Sequence, residues 1–130
     1  MKKISKEILV SGLVQHPYDS NPDYFTRINF FHETPDKLVL SYYWEAPVGS
    51  VAMTFDQFDE LIFILEGVLE IQSGAKKETF RKHDCLEISK HDGELIFNVL
   101  EGVKAFGYIY PADETEYQNI LNLMKQNTER

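Results

Sequence analysis

The chain has a single cysteine, Cys85, among 130 residues, so no internal disulfide can staple it and a reducing compartment is the expected setting. Positive charge is scarce. Thirteen lysines and arginines stand against 21 acidic side chains, a formal net charge of −8. Contact with a phosphate backbone depends on clustered cations, which argues against nucleic acid as a partner. Long apolar runs are missing as well. The N-terminal Met1-Lys2-Lys3-Ile4-Ser5-Lys6-Glu7 is cationic, but the apolar stretch there is short and already carries Glu7, so neither an export signal nor a membrane span is expected. A soluble, cytoplasmic protein with no membrane partner is the expectation. There is no internal repeat, no low-complexity tract and no linker that would split the chain.

What is present is a 43% hydrophobic content, enough for one core, in a chain of single-domain length. Gly, Pro, Asp and Asn clusters punctuate short apolar runs rich in β-branched and aromatic residues, the rhythm of successive strands. A first extended segment is expected around Ile8–Val14, followed by a loop from Pro17 to Pro22. Further strands are predicted at Tyr24–Phe31, Leu38–Trp44, Ser50–Phe55, Leu61–Ile71, Lys77–Arg81, Cys85–Ile88, Glu94–Leu100 and Val103–Tyr110. Pro35-Asp36, Ser73-Gly74, Asp92-Gly93 and Glu101-Gly102 mark the turns between them, so most neighbours should pair antiparallel in a sandwich or barrel. The tail differs. Asp113 and Glu116 form an N-cap pattern, and Tyr117, Ile120, Leu121 and Met124 recur at helical spacing, which predicts a short C-terminal helix covering the barrel.

The middle of the chain resembles a known superfamily. Glu60 to Gly67, ELIFILEG, matches in spacing the end of the first cupin motif, where a glutamate precedes a strand and a tight glycine turn. His83 to Asn98, HDCLEISKHDGELIFN, resembles the second motif in register. Several identities depart from that pattern: His83 and His91 stand where cupins usually have glycine, Ser89 where they have proline, and Glu94 where they have a metal-binding histidine. Met53 to Asp59 also lacks the two histidines of the first motif, so three of four usual metal ligands are replaced. Phe58-Asp59-Glu60, Leu65-Glu66-Gly67, Glu94-Leu95-Ile96-Phe97 and Tyr108-Ile109-Tyr110-Pro111-Ala112 look like the cupin domain of ethanolamine-utilisation EutQ proteins, which are also histidine-poor at the site.

The resemblance implies an all-β, single-domain cupin β-barrel of jelly-roll type: an N-terminal strand and loop arm over 1–30, the barrel over 31–112 and the C-terminal helix over 113–130. It also implies a homodimer, with Ile8–Val14 and Tyr24–Phe31 as edges that a partner could cover, and a link to ethanolamine catabolism in bacterial microcompartments. Acetate-kinase-type activity is implied for some members, but this chain shows no glycine-rich phosphate loop and no basic cluster suited to nucleotide phosphates.

In a strand alternate side chains share a face, so Glu60 groups with Ile62 and Ile64, and Glu94 with Ile96 and Asn98. In the cupin register both glutamates point into the barrel. Burial raises a carboxyl pKa and a second carboxylate raises one of the pair further, so Glu60 and Glu94 are candidate catalytic acid and base. The bland reading places them solvated at the rim or neutralised by tyrosines. Asp56, Tyr43, Tyr108 and Tyr110 are candidate substrate contacts, although core packing also accounts for such aromatics. No metal or other cofactor is expected; an all-oxygen set of Asp56, Glu60 and Glu94 would favour Mg²⁺, Ca²⁺ or Mn²⁺ over zinc. His83 and His91 fall at turns and are read as exposed, His16 and His32 lie in or beside loops, and Cys85, lacking an activating base, is read as core. Two readings stay open: an enzyme acting on a small polar metabolite through Glu60 and Glu94, and a non-catalytic module that binds a ligand or partner.

Overall fold

The computed structural model describes residues 1–111, together with Gln118 and Asn122. Helix α1 (Lys6–Ser11) is followed by strands β1 (Val14–Tyr18), β2 (Asn21–Glu33), β3 (Leu40–Ala46), β4 (Gly49–Phe55), β5 (Phe58–Ser73), β6 (Lys76–Arg81), β7 (Cys85–Ile88) and β8 (Gly93–Pro111). All pairings are antiparallel, in the order β1-β2-β3-β8-β5-β6, with β4 also on β8 and β7 also on β5. No helix among the described residues is long and apolar enough to cross a membrane.

Two long strands make the architecture. The first part of β8 pairs with β4 through Gly93–Val99, and its second part pairs with β3 through Val103–Ile109. Strand β5 follows β8 along both parts, with register shifts between Ile64 and Leu69. Strands that bend and change partners at bulges turn one sheet into two packed faces. Glu101-Gly102, predicted as a turn between two strands, is this corner in a continuous β8. Gly67 lies against it with φ 92°, and a side chain there would overlap the Gly102 carbonyl.

The core fills the space between the faces, and its members follow period two. Leu40, Tyr42, Trp44 and Ala46 of β3 are buried, as are Leu95, Phe97 and Val99, then Val103 and Ala105, of β8. On β7 Leu86 and Ile88 take the inner positions, which leaves Cys85 exposed rather than in the core.

The N-terminal segment differs from the sequence reading. Ile8 to Ser11 is helical, not extended, because the Ser5 side chain accepts from the Ile8 amide at 3.3 Å, Glu7 sits in the first turn, and Leu9 is the residue the helix buries. The expected loop contracts to Asp19-Ser20: Pro17 belongs to β1, at an edge with a register shift between Pro17 and Tyr18, where a missing amide is tolerated. Strands β1 and β2 extend the sheet that carries β3, so the N-terminal segment belongs to the same sheet. The C-terminal helix predicted over 113–130 lies outside the described residues apart from Gln118 and Asn122.

Candidate functional site

Between the sheets lies a cavity of about 800 Å³, lined from β1, β2, β3, β4, β5 and β8. Glu60 projects into it from β5, on the same face as Ile62 and Ile64. On the far side of β8 in the same sheet, Tyr42 of β3 donates its hydroxyl hydrogen to Glu60 Oε2. Tyr42 can lie there because its strand neighbour on β8 is Gly107, at which any side chain would overlap the phenol ring. Burial raises the Glu60 carboxyl to about 7, and the Tyr42 hydrogen bond, which favours the charged form, offsets only part of that rise. The Tyr42 hydroxyl is itself pushed well above its ordinary range by burial and by the adjacent Glu60 charge.

Aromatic side chains wall the rest. Trp44 meets Phe97 edge to face at 6.5 Å between centroids, and Phe55 stacks on Phe97 at 5.9 Å. His16 stacks on Tyr18 at 4.5 Å, and its Nδ1 lies 2.9 Å from the Pro17 carbonyl oxygen. Burial lowers the His16 pKa, so the imidazole is neutral at pH 7. The Tyr18 hydroxyl shares a 2.8 Å hydrogen bond with Thr26, a fully buried polar side chain.

The other sequence candidates do not gather around Glu60. Glu94 and Asp56 both line the cavity, yet both are exposed at its mouth. The buried positions of β8 belong to Leu95 and Phe97, so Glu94, alternating with them, reaches the cavity only at its exposed end; Asn98 of the same parity contacts Glu70 and Ser50. Burial, not a second carboxylate, therefore raises Glu60. Tyr43, Tyr108 and Tyr110 lie on the outer face of the sheet, because alternation gives the inner places to Tyr42, Trp44 and Ile109. Tyr43 packs on Phe106 and donates to Glu45 at 2.7 Å, a carboxylate that also pairs with Arg27 at 2.6 Å. Tyr108 meets Tyr110 edge to face at 4.8 Å on that same outer surface. His83 and His91 are exposed at turns.

The histidine-based metal site of the superfamily has no counterpart in this donor set. Among the described residues no three His, Cys, Asp or Glu side chains come together so as to hold a metal ion. Asp56, Glu60 and Glu94 fail as an oxygen set because Glu60 is turned inward onto Tyr42 while the other two face solvent. Sequence reasoning grouped Tyr42 with the aromatics expected to line or back the cavity without choosing it as a site residue, set His16 aside as lying in or beside a loop, and passed over Tyr18 and Thr26. Tyr42 and Trp44 share parity, a usable signal, but nothing local tells which parity is inside.

Tyr42→Phe removes the donor that favours the Glu60 carboxylate. The Glu60 titration is expected to move above about 7, read from the carboxyl carbon by ¹³C NMR. An unchanged or lower midpoint would contradict the hydrogen-bond geometry.

Comparison with known proteins supports the assignment of fold. The family model described as the EutQ-like cupin domain matches residues 33–104. The structure is similar to that of an ethanolamine utilization protein Q from Salmonella typhimurium LT2, with TM-score 0.65 and 16% identity over 76% of this chain and 80% of that one. It is similar to the Clostridium difficile EutQ protein, with TM-score 0.63 and 20% identity over 86% and 82% of the two chains. Ectoine synthase from P. lautus aligns with TM-score 0.68 and 12% identity over 85% and 78%. No curated protein matches by sequence.

Proposed function

Because this chain belongs to the EutQ-like cupin domain family, we propose that it binds a small polar metabolite inside the barrel and acts on it, with Glu60 as the group that takes up and releases a proton. The observation behind this reading is a carboxyl group inside a cavity of about 800 Å³, its pKa raised to about 7 and one of its oxygens engaged by Tyr42. A general acid or base works best when its pKa lies near the working pH. Tyr42 fixes the orientation of the carboxyl group and stays protonated itself, so the proton that moves is the one on Glu60. A largely aromatic wall with a few polar groups is the usual setting of a small-ligand site. Glu94 and Asp56, at the mouth, meet the ligand as it enters and do not share the proton with Glu60.

The second reading, a binding module without chemistry, draws on the separation of Glu60 from Glu94. The two part on experiment. A panel of small polar metabolites is screened by NMR against the Trp44 indole and the Tyr42 ring, and each bound compound is followed for conversion by wild type and by Glu60→Gln. Conversion that falls about 100-fold or more in the variant supports acid/base chemistry. Binding at Trp44 without conversion by either protein supports the module. Ligands that perturb only Tyr108 and Tyr110 on the outer face sink both.

A further inference from the structure

The charge balance of the cavity points to the class of ligand. Asp19, Asp56, Glu60 and Glu94 all contribute to its lining, and no lysine or arginine does among the described residues. An anion entering this space would meet four acidic residues and no described cation, a desolvation cost without return. A neutral guest would leave the Glu60 carboxylate uncompensated. A cation satisfies it.

The geometry agrees with the charge. Glu60 Oε2 is taken by the Tyr42 hydroxyl, and Oε1 has no hydrogen-bond donor among the described residues. No buried side-chain oxygen in the described residues is left without a partner, so Oε1 is open to the cavity. Trp44, Tyr18, Phe30, Phe58 and Phe97 line the same cavity. An aromatic face attracts a desolvated cation electrostatically, and a free carboxylate oxygen accepts a charge-assisted hydrogen bond from an N–H.

We propose that the barrel cavity is a site for a small protonated amine, its N–H groups bonded to Glu60 Oε1 and its alkyl portion held by the aromatic walls. The inference rests on the reading that the cavity is the ligand site and adds the charge class of the ligand. The amine binds with Glu60 ionised. The titratable groups that line this cavity with Glu60 are His16 and Tyr18 on β1, Asp19 in the turn after β1, Tyr42 on β3, Asp56 at the β4–β5 corner and Glu94 on β8. Burial lowers the His16 pKa and raises those of both tyrosines, away from the Glu60 value of about 7, so Glu60 is the inner group whose ionisation sets the affinity.

The test uses three isosteres of one size: propylammonium, propanol and propionate, titrated into the intact protein by NMR. Propylammonium is expected to bind about tenfold or more tightly than the other two, with shifts at the Trp44 indole. Its affinity is expected to rise about tenfold from about pH 6 to about pH 8 as Glu60 ionises. Glu60→Gln is expected to remove both the preference and the pH dependence, with an otherwise unchanged amide spectrum showing that the variant folds. The outer-face variant Tyr108→Phe is expected to bind as wild type does. Equal binding of all three probes at Trp44, or a preference for propionate, overturns the amine assignment and leaves the cavity as the ligand site. An absence of shifts at Trp44 and Tyr42 with every probe overturns the amine assignment and the cavity reading together. A propylammonium preference that survives in Glu60→Gln overturns the role of Glu60 in choosing the ligand.

Discussion

Glu60→Gln is expected to make the protein more stable than wild type at pH 8, by about 3 kcal/mol at most, and roughly equal to it near pH 4. The sign follows from the proton count. In the folded protein Glu60 holds its proton up to about 7, against 4.5 for the ordinary side chain. Between those values the native state carries a proton that the unfolded chain has lost, so wild-type stability falls as pH rises through this window and is level above it. Each unit of pKa difference corresponds to about 1.36 kcal/mol, which sets the size. Glutamine accepts the Tyr42 hydrogen bond through its carbonyl and does not titrate, so its urea-unfolding free energy should lack this slope. A wild-type profile that rises between pH 5 and 7 by the same amount as the variant's would show that Glu60 is an ordinary solvated carboxylate. Stability given up at neutral pH for a charge held inside the barrel is the trade expected of a working group, and it fits the proposed role.

Gly67→Ala is expected to have the largest effect on folding of any single methyl addition considered. Gly67 sits at φ 92°, where an L-residue costs roughly 1–2 kcal/mol, and its Cβ would overlap the backbone carbonyl of Gly102. Backbone at a packed corner cannot move aside as a flexible side chain can, so overpacking adds about 1–3 kcal/mol or more. A total of about 3 kcal/mol or more should lower the melting temperature by roughly 12 °C or abolish soluble expression. Gly74→Ala is the control. Gly74 also has a positive φ, 58°, but nothing lies within 4 Å of a Cβ there, so only the local strain of roughly 1–2 kcal/mol should appear. Equal losses in the two variants would mean that the corner is not where the two faces are locked together.

The two residues act at opposite ends of one strand segment. Between Glu60 and Gly67, β5 runs first along Ile109 to Ala105 of β8 and then breaks register at the corner. The strand before the corner carries Glu60 into the cavity.

Much of this was legible in the residues themselves. Alternation within Glu60-Ile62-Ile64 follows from strand geometry, and the turns at Ser73-Gly74 and Asp92-Gly93 appear where glycine permits positive φ. The spacing from Glu60 to Gly67 and on to Asn98 carried the family. The misreadings have local causes. Ile8 to Val10 looked extended because apolar residues in a row do not distinguish helix from strand, and the Ser5 cap decided it. Glu101-Gly102 looked like a turn because glycine marks corners as well as reversals.

The inner site is another matter. Residue type and spacing along one strand determine which side chains share a face, and no more than that. Which of the two faces is inside depends on pairings between segments far apart in sequence: Tyr42 beside Gly107, and Glu60 beside Ile109. Only the assembled sheet, with β3 and β5 flanking β8, brings Tyr42 to Glu60, turns Tyr43, Tyr108 and Tyr110 outward, and leaves Glu94 at the mouth, because parity across strands is set by register and register is a property of the whole sheet.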